Sequence, residues 1–160
     1  MAASRPVVSN TTPFINLIGI GQRDLLPSLY GSVTIPSEVR DEYTAGRSAT
    51  DPNLDTFSWL HNVPDVRASA SLPVQLGAGE ASALSFAQAL NARAVLLDEA
   101  FGRRLARQMG LPVVGTLGIL LAAKQVGLLA AVQPMIDAMI QQGRHVSPKL
   151  RAQVLRAAGE

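Results

Sequence analysis

The amino-acid sequence predicts an α/β domain built on a mainly parallel sheet. Three observations carry that expectation. Short β-branched or apolar runs alternate with stretches of helical periodicity along the 160 residues. One run, Ala94-Val95-Leu96-Leu97, is continuously apolar and stops at Asp98-Glu99, the pattern of a central strand buried on both faces. Hydrophobic residues make up 48% of the chain, enough for a full core, and no cysteine is present to staple one. The length predicts a single domain over 1–160, with a core over about 6–130 and a helical C-terminal part over about 131–160.

Pro6 to Ser9 reads as a buried strand. Asn10-Thr11-Thr12-Pro13 then opens a helix, with Thr12 as N-cap and Pro13 at the first helical position. Phe14, Ile15, Leu17 and Ile18 form its apolar face, and Gly19 and Gly21 loosen its end. Asp24 to Tyr30 reads as a second short helix. Ser32 to Ile35 is a β-branched strand that Pro36 ends. Ser37 to Tyr43 is helical, and Gly46 stops it. Arg47 to Asp55 is a polar loop, and Thr56 to Leu60 fits either class. Val63 to Val66 reads as a strand that Pro64 confines to an edge, and Arg67 to Leu76 as a loop. Gly79 to Asn91 is a helix with Ala81, Leu84, Ala87 and Leu90 near helical spacing. The Ala94 strand is followed by a helix from Phe101 to Met109 that Gly110 closes. A strand over Leu111 to Val114 and a helix from Thr116 to about Val126 come next. Val132 to Gln142 and Ser147 to Ala158 complete the chain as helices.

Composition excludes several chemistries. Without cysteine there is no disulfide, no Cys-ligated zinc and no thiol catalysis. His61 and His145 are too few for a multi-His metal site, so a metal here would rest on carboxylates and be a hard cation such as Mg²⁺ or Mn²⁺. Gly77-Ala78-Gly79 lacks the lysine of a phosphate-binding loop, which excludes nucleoside triphosphates as ligands. The N-terminus lacks the apolar core of a signal peptide, and Leu117 to Ala123 falls far short of the ~20 residues that span a bilayer, so a cytoplasmic protein without membrane contact is expected. The net charge is +2, unevenly placed. Residues 1–99 hold six basic and ten acidic groups; residues 100–160 hold eight basic and two acidic. That asymmetry is either ordinary surface charge or a metal site beside a phosphate-binding surface. Aromatic residues are only 4%, which argues against base stacking, and Trp59 reads as core or interface.

In parallel sheets, functional groups collect past the carboxyl ends of strands. That rule selects Asn10, Pro36 to Glu42, Asp98-Glu99 and Gly115-Thr116. Asp98 either caps the helix that follows it or serves a site. Glu80 and Glu99 sit in first helical turns, where the dipole alone favours them. Glu38 and Glu42 share a helix face distinct from that of Val39 and Tyr43. Carboxylates gathered from separate segments make a divalent-cation site. Arg103 and Arg107 share a helix face with Arg104 beside them, either solvated or in contact with backbone phosphates. Thr116 reads as an N-cap, at a helix start that can also receive a phosphate. Val132, Met135, Ile136, Met139 and Ile140 form a stripe that suits core or a homodimer face.

Taken together, the segments VVSNTTPFINL (7–17), VTIPSEVRDEY (33–43), GAGEASALSFA (77–87) and the stretch from Ala94 to Leu129 resemble the PIN-domain family, in particular its small PIN-like prokaryotic branch. The resemblance implies a three-layer α/β/α sandwich with an acidic pocket, and Mg²⁺- or Mn²⁺-dependent endoribonuclease activity on RNA. It also implies a toxin role beside a small antitoxin protein, and a homodimer. Carried over by position, the metal-holding residues are Asn10, Glu42, Glu80 and Asp98, with the three carboxylates catalytic. Thr11 and Thr12 match the hydroxyl residues beside the first acid, and Arg103 and Arg104 match the basic residues after the third carboxylate. Arg107 and Thr116 complete the expected RNA contacts. The sequence departs from the family at Asn10, where the usual residue is Asp. An amide oxygen ligates a hard cation without contributing charge. Asn10 is therefore a neutral ligand, a residue that positions Asp98, or the mark of an inactive RNA-binding or protein-interaction module.

Overall fold

The runs that read as strands pair side by side in one sheet. The computed structural model describes residues 4–63, 72, 73 and 75–160. In it the strands are β1 (Val7–Ser9), β2 (Val33–Pro36), β3 (Leu60–Val63), β4 (Ala94–Leu96) and β5 (Val113–Val114). Their spatial order is β3-β2-β1-β4-β5, and every pairing is parallel. β1 and β4 are central and buried throughout, which is why both are uninterrupted in apolar or small residues. β3, at the edge, is half-exposed.

β3 begins at Leu60, three residues before the expected strand at Val63 to Val66. Its position is set by β2, with Val33 opposite Leu60 and Pro36 opposite Val63. The exposed His61 and Asn62 hide the strand from a search for apolar runs. Residues 64–66 and 67–71, on which the rest of that strand and most of the following loop were expected, lie outside the described residues.

Eight α-helices are found among the described residues: α1 (Thr11–Gly19), α2 (Leu25–Tyr30), α3 (Ser37–Gly46), α4 (Ala78–Ala89), α5 (Ala100–Gln108), α6 (Thr116–Gln125), α7 (Gln133–Gln141) and α8 (Pro148–Ala157). α1 starts two residues earlier than expected, and Asn10 rather than Thr12 occupies the N-cap position. The Asn10 amide still donates to Leu96 O at 2.9 Å, so the last rung of the sheet and the first residue of the helix are adjacent. Ser147 caps α8 by accepting from the Leu150 amide at 3.1 Å.

The result is a three-layer α/β/α sandwich. α4 packs on β1, β2 and β4, while α2 packs on β2 and on α6, which covers β5. The chain reverses its direction across the sheet after β3, and the right-handed rule for parallel crossovers then puts α4 and α2 on opposite faces. Leu26, Ile35, Leu84, Leu96, Ile119 and Leu120 are fully buried in the resulting core. Trp59 joins its edge, stacked on Phe57 with ring centroids 5.1 Å apart. Val132, Ile136 and Met139 of the C-terminal stripe are buried as well, although Ile140 remains exposed. No helix among the described residues is long and apolar enough to cross a membrane.

Candidate active site

The strand order reverses between β1 and β4, and the crevice beyond their carboxyl ends is where parallel sheets present ligands. Asn10 follows β1 directly, and Asp98 follows β4 by two residues. Glu42 reaches the same edge from α3, and Glu80 stands in the first turn of α4.

Asp98 does not cap α5, the helix that follows it; Glu99 takes that cap position without a side-chain bond. Asp98 caps α6 instead. Its Oδ1 accepts the Thr116 amide at 2.6 Å, and its Oδ2 accepts the Thr116 hydroxyl at 2.6 Å and Asn16 Nδ2 at 3.0 Å. Thr116 is thus not an N-cap. It is the first residue of α6, with Gly115 at the cap position, and both its donors are committed to Asp98. The first amide and the hydroxyl of α6 are therefore both bonded to a carboxylate.

Glu42 does the same for α4. Its Oε1 accepts the Gly79 amide at 2.9 Å, and its Oε2 accepts the Thr11 hydroxyl at 2.9 Å. Gly79 is required for this approach, because a Cβ there would lie 2.7 Å from Glu42 Cδ and closer still to Oε2. A carboxylate offers about four lone-pair sites. Asp98 uses three and Glu42 two, so both retain acceptor capacity.

Asn10 is 4% exposed, and its Oδ1 is buried without a hydrogen-bond partner. Leaving such an oxygen unmatched costs about 1–3 kcal/mol. Asn10 does not hold Asp98; Asn16 does. The Asn16 Nδ2 also donates to Thr116 Oγ1 at 3.2 Å, which fixes the orientation of the amide and leaves its Oδ1 buried and unmatched too. Glu80 is half-buried. Burial and the nearby Glu99 carboxylate push its pKa up, a hydrogen bond from the Gly77 backbone opposes them, and Glu42 adds a further push.

A groove of about 870 Å³ runs from Thr12, Asn16 and Asp98 between α5 and α6 to α7 and α8. Arg103, Arg104, Arg107, Arg144 and His145 stand along it, and none of the four arginines belongs to an ion pair among the described residues. Arg103 is half-buried and donates from Nη1 to Leu97 O at 3.1 Å. Arg104 lies over the Phe101 ring, 5.7 Å from its centroid.

A family model described as PIN domain matches residues 6–160. The chain belongs to the PIN-domain family. No curated protein and no solved structure gives a significant match.

PIN domains typically depend on a divalent metal. Every candidate ligand is an oxygen, and Asn10 contributes a buried oxygen lacking a partner, which suits a hard cation. As folded, however, the described residues include no group of three acidic or histidine side chains that could hold a metal ion. Glu42 and Asp98 are drawn to helix caps, and Glu80 feels burial and the Glu99 carboxylate more than the Glu42 carboxylate. Sequence reasoning missed Asn16, and it singled out Gly115 as a helix start without its role in making room for charged side chains. An asparagine inside the apolar face of α1 was the available signal for the first. Nothing local marks the spatial role of the second, since its neighbours Asp98 and Arg103 come from elsewhere in the chain.

Proposed function

We propose that the chain is a single-domain, cytoplasmic endoribonuclease that hydrolyses RNA phosphodiesters with Mg²⁺ or Mn²⁺. The observation that carries this reading is the juxtaposition at one sheet edge of carboxylates held only by uncharged donors with a groove of arginines lacking carboxylate partners. Asn10, Glu42, Glu80 and Asp98 would hold the cation through oxygen. The bound ion would supply an acidified water and neutralise charge developing on a phosphoryl oxygen. The chain's own residues do the rest. Thr116 and Asn16 fix the Asp98 carboxylate, Thr11 and the Gly79 amide fix Glu42, and Thr12 with Arg103, Arg104 and Arg107 holds the RNA backbone. Toxin activity under a small antitoxin, and a homodimer, are finer parts of the same reading.

A second reading is favoured by Asn10 and by the absence of a three-acid group among the described residues. In it the domain binds RNA or a protein without cleaving. Calorimetry with Mn²⁺ and Mg²⁺ on wild type, Asn10→Asp and Asp98→Asn, beside an RNA-cleavage assay, separates the two. Binding and cleavage in wild type, both lost in Asp98→Asn, support the nuclease. Metal binding that appears only in Asn10→Asp supports the binding module.

A further inference from the structure

The three arginines of α5 are not equivalent. Arg104 and Arg107 are exposed, whereas Arg103 is half-buried at the carboxyl edge of the sheet. Its Nη1 is tied to Leu97 O, the carbonyl immediately before Asp98. Gly115 makes room for it: a Cβ there would lie 2.5 Å from Arg103 Nη1 and 2.9 Å from Asp98 Oδ1. The φ of Gly115 is an ordinary −91°, so space and not backbone freedom calls for glycine. Arg103 and Asp98 thus share the volume over Gly115, yet they form no ion pair, and the Asp98 oxygens are bonded to Thr116 and Asn16. Among the described residues, one of the five guanidinium donors is bonded, to Leu97 O. Partial burial, with Arg107 adding repulsion, makes its charge costly as it stands. A half-desolvated planar fork with no ion-pair partner, near a carboxylate whose attraction only partly offsets its burial, suits the paired oxygens of a phosphodiester.

We propose that Arg103 is a catalytic residue that grips the non-bridging oxygens of the reacting phosphodiester, seated by Gly115 and Leu97 O, while Arg104 and Arg107 hold neighbouring phosphates. This rests on the nuclease reading for its role, but its geometry is testable without cleavage.

The experiment measures binding of a short single-stranded RNA to the full chain in EDTA by fluorescence anisotropy. One phosphate at a time is replaced by an uncharged methylphosphonate, and the series is repeated with Arg103→Ala, Arg103→Lys, Arg104→Ala and Gly115→Ala. Circular dichroism checks that each variant folds. At one position the neutral linkage should cost wild type about tenfold in affinity and cost Arg103→Ala almost nothing further, a coupling in the sense of a double-mutant cycle. Arg103→Lys should recover only part of that coupling, because an ammonium lacks the planar fork. Gly115→Ala should weaken it, and Arg104→Ala should couple to a different position. With Mn²⁺ added, wild type should cut at the phosphate that couples to Arg103. Additive costs at every position, no RNA binding, or cleavage at an uncoupled phosphate would overturn the proposal. Coupling at one position with no cleavage under either metal would instead remove the nuclease reading and leave Arg103 as a phosphate clamp.

Discussion

The acidic sheet edge and the C-terminal end of the chain solve one problem with the same device. In each, a carboxylate closes the N-terminus of a helix that is not its own. Glu160 accepts the Val132 amide at 2.7 Å, the Gln133 amide at 3.1 Å and Lys124 Nζ at 2.9 Å, and so ties the start of α7 to the end of α6. Glu42 and Asp98 close α4 and α6. The difference lies in what surrounds the charge. Glu160 has a cation, Lys124, and its charge is satisfied locally. Glu42 and Asp98 have only amides and hydroxyls, next to two buried amide oxygens with no partner and a row of unpaired arginines. The C-terminal cap is complete in itself, whereas the sheet edge retains unsatisfied groups of both signs, as a binding site does.

The comparison is broken most severely at Asp98. Asp98→Ala removes the α6 cap and strands the Thr116 amide, its hydroxyl and the Asn16 amide, so a loss of about 3 kcal/mol and a fall near 10 °C in Tm are expected. Asp98→Asn keeps an acceptor for the Thr116 amide and should melt within a few degrees of wild type in differential scanning calorimetry. Equal melting of the two variants would mean that the cap contributes nothing.

Gly79→Ala tests the other pocket carboxylate. The new methyl group collides with the Glu42 carboxylate, and a loss of about 1–3 kcal/mol is expected in urea unfolding. Combining it with Glu42→Ala should cost less than the sum of the two single changes, because the collision partner is gone. Strict additivity would place the strain elsewhere.

At the C-terminal end, the two backbone amides and Lys124 hold the Glu160 pKa down at about 2, led by the Val132 amide. A depressed acid stabilises the fold above its unfolded pKa, and that contribution is lost as pH falls from about 4.5 towards 2. Wild type should therefore lose Tm across this window more steeply than Glu160→Gln. Parallel pH profiles would show that the charge at Glu160 does not contribute.

Glu80 gives the smallest effect and the opposite sign. Its pKa is raised by burial and by Glu99, so its ionisation weakens the fold as pH rises through the carboxylate range. Glu80→Gln should raise Tm at pH 7 by about 1–2 °C, a figure kept small by partial solvent screening. A lower Tm in the variant would mean that the Glu80 charge is compensated in the fold.

Much of this was legible along the chain. The Ala94 run announced a central strand because burial on both faces demands unbroken apolar character, and Asp98 at its end stood out for the same reason. The edge strand was misplaced, since a half-exposed strand carries residues such as His61 and Asn62 that do not mark it. Thr12 was read as the N-cap because capping residues are recognised by type, and Asn10, Thr11 and Thr12 are all eligible types; the sheet rung at Asn10 decided among them.

The parallel α/β architecture, the family resemblance and the segments that meet at the sheet edge are legible in the chain, because periodicity, burial and strand ends are written locally. Which partner each carboxylate takes is settled by the packing of distant segments. Asp98 closes a helix 18 residues away, Glu42 one that begins on another segment, and Asn16 rather than Asn10 holds Asp98. Those choices depend on where amides and hydroxyls remote in the chain come to rest, and on the missing side chains of Gly79 and Gly115 that let the charged groups approach.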